Sequence, residues 1–65
     1  MASHLVQVLH VVRAKILIAD DQKEVLNVLR RGLEATTSLV VCGEALNGAE
    51  AVVKAAELHP DLVIL

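Results

Sequence analysis

Three short apolar runs alternate with two helix-like segments, and this order constrains the fold more than any other feature of the chain. The runs cover residues 14–19, 39–42 and 61–65, and Gly43 is expected to end the second. Strands that alternate with amphipathic helices over short connections form parallel sheets with right-handed crossovers. The sequence therefore predicts an α/β domain that begins β-α-β-α-β.

The first helical segment is expected to run from Asp21 to about Ala35. Asp21 is followed three residues later by Glu24, which is the pattern of a capping box. Gly32 lies inside this segment at a cost of about 1 kcal/mol relative to alanine, and close packing against a neighbour is the expected reason. The apolar positions recur at helical spacing. They are Val25, Leu26, Val28, Leu29 and Leu33.

The second helical segment follows the Asn47-Gly48 loop signal. Asn47 is expected to cap it, with Glu50 in the reciprocal position of a second capping box. The helix is expected to stop near Leu58, because proline disfavours helical backbone in the residue before it, and Pro60 follows shortly. The predicted apolar face has four members. They are Ala51, Val52, Ala55 and Ala56.

Two adjacent carboxylates, Asp20 and Asp21, directly follow the first apolar run. Strand two is expected on one side of strand one and strand three on the other, so these carboxylates lie where open parallel sheets bind ligands. Mutual repulsion and desolvation make such a pair costly. A Mg²⁺ ion would offset that cost, since it takes one or two carboxylates plus waters and a phosphate oxygen. The alternative is that Asp21 only caps the helix and Asp20 only faces water.

Composition excludes several classes of function. The chain has 65 residues, 55% of them hydrophobic, which suits one small domain with strands covered on both faces. The net charge is −2 and aromatic residues are absent, so we expect no direct nucleic-acid binding. No apolar run approaches the roughly 18 to 20 residues of a membrane span, so no membrane association is expected.

The single cysteine and the first residues carry less information. Cys42 lies in an apolar run, where a small buried hydrophobe is the expected role, and one unpaired thiol fits a reducing, cytoplasmic setting.

Residues 1–13 suit a helix or a strand equally. We interpret them as an extension or tag outside the domain, which then covers residues 14–65.

Three stretches taken together resemble the receiver domain of two-component response regulators. They read KILIADD at 15–21, VVCGEALNGAEAV at 40–52 and HPDLVIL at 59–65. The nearest likeness is to receivers attached to helix-turn-helix output domains. The resemblance covers residues 14–65 and corresponds to the N-terminal half of a receiver. It implies a flavodoxin-like, doubly wound parallel sheet, truncated to β-α-β-α-β with strand order 2-1-3.

The resemblance also implies a role in phosphorelay signal transduction without enzymatic activity of its own. Asp21 would bind Mg²⁺ directly and Asp20 through a water, in a weak and incomplete site. A histidine kinase or phosphotransfer protein would supply the phosphoryl group. The family's phosphoacceptor aspartate would come directly after Leu65, so we expect no stable phosphorylation of the chain as it stands. Asp61, at the start of strand three, is too far away to replace it.

Two other interpretations stay open. The chain could be a non-catalytic pseudo-receiver that acts only through its surfaces. It could also begin a metal-dependent phosphoryl-transfer or nucleotide enzyme, although it has no Gly-x-Gly-x-x-Gly or Walker loop and no nucleophile at a strand end. The sequence stops inside strand three, which we interpret as a cut within a domain. Residues 62–65 would then form an open apolar edge prone to self-association.

Overall fold

Three parallel strands and two helices make up the structure, a computed structural model that describes residues 13–36 and 38–65. In chain order the elements are β1 (Ala14–Ala19), α1 (Lys23–Glu34), β2 (Leu39–Ala45), α2 (Gly48–Leu58) and β3 (Leu62–Ile64). The sheet has the order β2-β1-β3, with both pairings parallel. The predicted element order and the strand order 2-1-3 are confirmed, and both are consistent with a truncated flavodoxin-like fold. The extension predicted at 1–13 lies outside the described residues apart from Arg13, so it stays a prediction.

β1 is buried on both faces because its side chains alternate between two cores. One core lies under α1 and is built around Ile16, Ile18, Leu26 and Val41. The other lies under α2 and is built around Leu17, Ala19, Ala45 and Ala51. A central strand with helices on both sides explains why its sequence reads as one continuous apolar run.

β2 continues past Gly43 to Ala45, so the expectation that this glycine ends the strand is wrong. The pairing register shifts between Ile16 and Leu17 of β1, which makes Cys42 the extra residue of a bulge. Cys42 is half-buried against the core under α2, and not fully buried as predicted. Beyond the bulge the pairing resumes, with Leu17 opposite Gly43 and Ala19 opposite Ala45.

Close packing occurs at Gly43 in β2 and not at Gly32 in α1, where it was expected. A Cβ on Gly43 would lie 2.7 Å from Cδ1 of Leu58, so α2 packs close to β2 at this position. A Cβ on Gly32 would meet nothing within 4 Å, so the predicted close packing at Gly32 is wrong. The close approach is made by the glycine in the strand.

α1 begins one residue later than predicted, since its N-cap is Gln22 and not Asp21. It starts at Lys23, with Gln22 in the N-cap position and no side-chain cap hydrogen bond. The predicted capping box of Asp21 and Glu24 is therefore wrong. Asp20 makes the local bond instead, since its Oδ1 accepts a hydrogen bond from the Gln22 N–H at 2.8 Å. This is the geometry of an Asx-turn, which closes the strand-to-helix corner before the helix starts.

α2 begins as predicted. The Asn47 side chain accepts a hydrogen bond from the Glu50 N–H at 2.8 Å. The Glu50 carboxylate in turn accepts from the Leu46 N–H at 3.0 Å, one residue before the usual capping-box position. At the other end, His59 takes the left-handed conformation with a φ of 51°, and its N–H donates to the Ala55 carbonyl. Both ends of α2 are thus satisfied by local bonds.

The apolar face of α2 differs from the predicted one. Ala51 is buried, and Ala55 and Leu58 pack against the same core, so the face follows the spacing i, i+4, i+7. Val52 is 71% exposed and Ala56 is also exposed, so placing these two on the buried face was wrong. Among the described residues, neither helix combines the length and the apolar character that a membrane crossing requires.

Candidate functional site

An open groove of about 320 Å³ lies where the carboxyl ends of the strands meet. Its lining comes from the loop after β1, the loop after β2 and the residue after β3. The lining residues are Ala19, Asp20, Asp21, Leu46, Asn47, Gly48 and Leu65. Because β1 lies between β2 and β3, the groove is at the reversal point of strand order, where open α/β sheets bind ligands.

Asp20 is held by two hydrogen bonds, whereas Asp21 beside it faces solvent. The backbone N–H of Asp20 donates to the Ala45 carbonyl at 3.0 Å, which extends the β1–β2 ladder by one bond. Its side chain is fixed by the Gln22 N–H. Asp21 is exposed, and both residues line the groove. The structure therefore brings the predicted pair to the predicted edge of the sheet.

The donor set fits an incomplete magnesium site. Within 13–36 and 38–65, no group of three or more His, Cys, Asp and Glu side chains is placed to enclose a metal ion. Mg²⁺ does not need such an enclosure, since it keeps several waters and takes one or two carboxylates. The Asx-turn at Asp20 would act as a supporting contact, because it orients one carboxylate before an ion binds.

Asp61 lies at the far edge of the sheet from the groove, as predicted. Its Oδ2 accepts a hydrogen bond from the backbone N–H of Lys15, near the start of β1. Leu65, in contrast, lines the groove and is 83% exposed. The end of β3 thus reaches the acidic pair, and its beginning does not.

Sequence reasoning missed the contribution of the β2–α2 loop to the groove. The sequence predicts only a loop and a helix cap at Asn47 and Gly48, yet both residues line the groove together with Leu46. A signal was present, because the loop that follows any strand of a parallel sheet emerges at the same edge as the loops of its neighbours.

Comparison with known proteins finds similarity to protein-glutamate methylesterases. No family model matches the chain. Over 51 residues the chain is 41% identical to protein-glutamate methylesterase/protein-glutamine glutaminase 1 of Methanosarcina acetivorans and 37% identical to its namesake in Methanosarcina mazei. It is 35% identical over 52 residues to the protein-glutamate methylesterase/protein-glutamine glutaminase of Maricaulis maris.

These alignments cover most of the chain but little of the relatives. They span 78 to 80% of this chain and 13 to 15% of the relatives' lengths. The strand order β2-β1-β3 and the similarity to these relatives together support a receiver-like domain. They do not define its partners or its metal site. The activities in the relatives' names describe those whole proteins.

Proposed function

We propose that the chain is the N-terminal half of a receiver domain that works in phosphorelay signalling. One observation carries the proposal. Asp20 and Asp21 line a single groove with Leu65, at the carboxyl ends of neighbouring parallel strands. In receivers the phosphoacceptor aspartate stands at the end of strand three, next to an acidic pair at the end of strand one. The position that follows Leu65 would occupy that place.

The acidic pair would hold Mg²⁺, with Asp21 as the direct ligand and Asp20 acting through a water. The ion would supply neutralisation of the negative charge on the phosphoryl oxygens during transfer. The half-buried position of Asp20 and its bond to the Gln22 N–H support the indirect role, since one of its oxygens is already engaged. The exposure of Asp21 supports the direct role, because its carboxylate can turn toward an ion without losing a hydrogen bond that the fold needs.

The proposed partner is a histidine kinase or a phosphotransfer protein in the cytoplasm, which would donate the phosphoryl group. The chain would act as a signalling module and not as an enzyme. The matched segment is 13 to 15% of the relatives, which supports locating their named activities outside it. Among residues 13–36 and 38–65, those that line the groove include no Ser, Cys or His.

The parent reading frame gives the first test. We expect an aspartate directly after Leu65, and a longer chain that includes it should be labelled by acetyl phosphate in the presence of Mg²⁺. The label should be released by hydroxylamine, as an acyl phosphate is. Any other residue at that position would contradict the phosphorelay proposal and favour a non-catalytic interaction module.

Variants of the longer chain give the second test. Asp21→Asn should lose Mg²⁺-dependent labelling, because it removes the direct ligand. Asp61→Asn is the matched control, since it makes the same chemical change at the opposite edge of the sheet and should leave labelling intact. The 65-residue chain itself should bind Mg²⁺ weakly, lose that binding in Asp21→Asn, and take up no stable label. Stoichiometric labelling of the 65-residue chain would contradict the proposed acceptor position.

A further inference from the structure

The Asn47-Gly48 pair stands on the rim of the groove, and both residues are exposed. An asparagine followed by glycine is chemically labile, because the glycine nitrogen can attack the side-chain amide carbon with no Cβ in the way. The chain has one other asparagine, Asn27, which lies inside α1 and is followed by the β-branched Val28. The two asparagines therefore differ in the steric access of the neighbouring nitrogen.

The helix cap restrains this reaction in the folded chain. Asn47 has extended backbone, with φ −160° and ψ 173°, and its side-chain oxygen is held by the Glu50 N–H at 2.8 Å. Ring closure requires the side-chain carbon to swing toward the Gly48 nitrogen, so the cap bond must break first. The Gly48 N–H is in the first turn of α2, where the helix itself provides no acceptor. Opening of that first turn is then the step that exposes the pair to reaction.

We propose that Asn47-Gly48 is a spontaneous deamidation site, gated by the α2 cap, that converts a neutral rim residue into a carboxylate. The Gly48 nitrogen bonds to Cγ of Asn47 and gives its proton to solvent. The Cγ–Nδ2 bond breaks, and ammonia leaves after taking a proton from water. Water then opens the succinimide at either carbonyl, so that the products are aspartate or isoaspartate. The net reaction consumes one water and releases one ammonia.

The aspartate product changes the groove more than it changes the helix. Aspartate caps helices as well as asparagine does, and its charge is favourable at a helix N-terminus. The groove would then carry a third carboxylate beside Asp20 and Asp21. This consequence rests on the proposed Mg²⁺ site, where the added charge should tighten binding roughly two- to fivefold at low ionic strength. Isoaspartate instead adds a methylene to the backbone and should release the cap.

Peptide mapping by mass spectrometry tests the modification itself. The 65-residue chain, aged in mildly alkaline buffer, should gain the mass of an amide-to-acid change at Asn47 well before Asn27. Gly48→Ala is the control, since a Cβ there meets nothing within 4 Å and the residue has no positive φ. It should slow the reaction at Asn47 by about tenfold through steric hindrance. Equal rates at the two asparagines, or no slowing in Gly48→Ala, would overturn the proposal.

Two further measurements test the gating by the cap and the effect on Mg²⁺ binding separately. Urea should accelerate deamidation at Asn47, and an unchanged rate would overturn gating by the cap. Mg²⁺ titration followed by the backbone amide signals of Asp20 and Asp21 should give tighter binding for Asn47→Asp than for the unchanged chain. Equal affinities would overturn the effect on the groove and leave the proposed function standing. An absence of Mg²⁺ binding in both chains would overturn the proposed metal site, while the mapped modification would stand.

Discussion

Asp61 joins the start of β3 to Lys15 of β1 through two hydrogen bonds. The Lys15 N–H donates to Asp61 Oδ2 at 2.7 Å, and the Asp61 N–H donates to the Lys15 carbonyl at 2.8 Å. The Lys15 ammonium also donates to the Leu58 carbonyl at the end of α2. These contacts set the register that places Ile16 opposite Leu62. They hold the short β3 against the sheet at the edge opposite the groove.

Removing this acceptor should loosen β3. We expect Asp61→Ala to lower the free energy of unfolding by about 1 kcal/mol, because one exposed backbone N–H loses its partner. Asp61→Asn should cost less, since an amide oxygen can accept the same bond. Urea unfolding followed by circular dichroism measures both. Equal losses in the two variants would show that the charge of Asp61, and not its acceptor, stabilises β3.

The glycines of β2 and α1 should respond in opposite directions to alanine. Gly43→Ala should destabilise the chain by about 1 kcal/mol, because the new Cβ overlaps the end of the Leu58 side chain. Gly32→Ala should stabilise it by about 0.5 to 1 kcal/mol, because the space is open and alanine favours the helix. Thermal unfolding of the two variants beside the unchanged chain gives the signs directly.

A double substitution tests the reason for the effect at Gly43. If overlap with Leu58 is the cause, Gly43→Ala should cost much less in a Leu58→Ala background than in the unchanged chain. Additive effects of the two substitutions would contradict the proposed contact.

The element order and the strand order were predictable because they depend on periodicity and connection length alone. β1 begins at Ala14 and ends at Ala19 as predicted, and α2 ends at Leu58 as predicted. The start of α1 was not predictable in the same way. Either of two adjacent aspartates can accept a hydrogen bond from a nearby backbone N–H, and such local bonds compete with helix capping. In the structure Asp20 accepts from the Gln22 N–H in an Asx-turn, no side chain caps α1, and the helix starts at Lys23.

The roles of the glycines and of the groove lining depend on tertiary neighbours. A Cβ at position 43 would overlap the side chain of Leu58, which is fifteen positions away in sequence. The sequence around Gly43 alone does not predict that contact. The acidic pair was predictable as a site because it ends an apolar strand. The predicted sheet order already brings the β2–α2 loop to the same edge, but which residues of that loop line the groove depends on the path of its backbone.

Arg30 and Glu44 form an ion pair that links α1 to β2. The Arg30 Nε lies 2.8 Å from the Glu44 carboxylate, and Arg30 also reaches Glu34 at 3.4 Å. Glu44 is less exposed than Glu34, so its ion pair with Arg30 should contribute more to the free energy of unfolding. A double-mutant cycle with Arg30→Ala and Glu44→Gln should give a coupling of about 0.5 kcal/mol that shrinks in high salt. The same cycle with Glu34→Gln is the control and should give a smaller coupling.

β3 offers an open edge for pairing between copies of the chain. Within the described residues it pairs with β1 on one side only, and Val63 in its middle is 37% exposed. Unpaired edges with apolar side chains favour association, and lysine on an edge strand opposes it. We expect the 65-residue chain to be marginally stable and to self-associate, and Val63→Lys to shift it toward monomer in sedimentation equilibrium.

A matched substitution separates the edge from general solubility. Val52→Lys makes the same chemical change on α2, where the side chain is 71% exposed and away from the strand edge. It adds the same charge, so an effect of net charge alone would appear in both variants. We expect Val52→Lys to leave the association constant nearly unchanged while Val63→Lys lowers it about tenfold, a change of about 1.4 kcal/mol. Equal effects of the two substitutions would show that net charge, and not the edge of β3, controls the self-association.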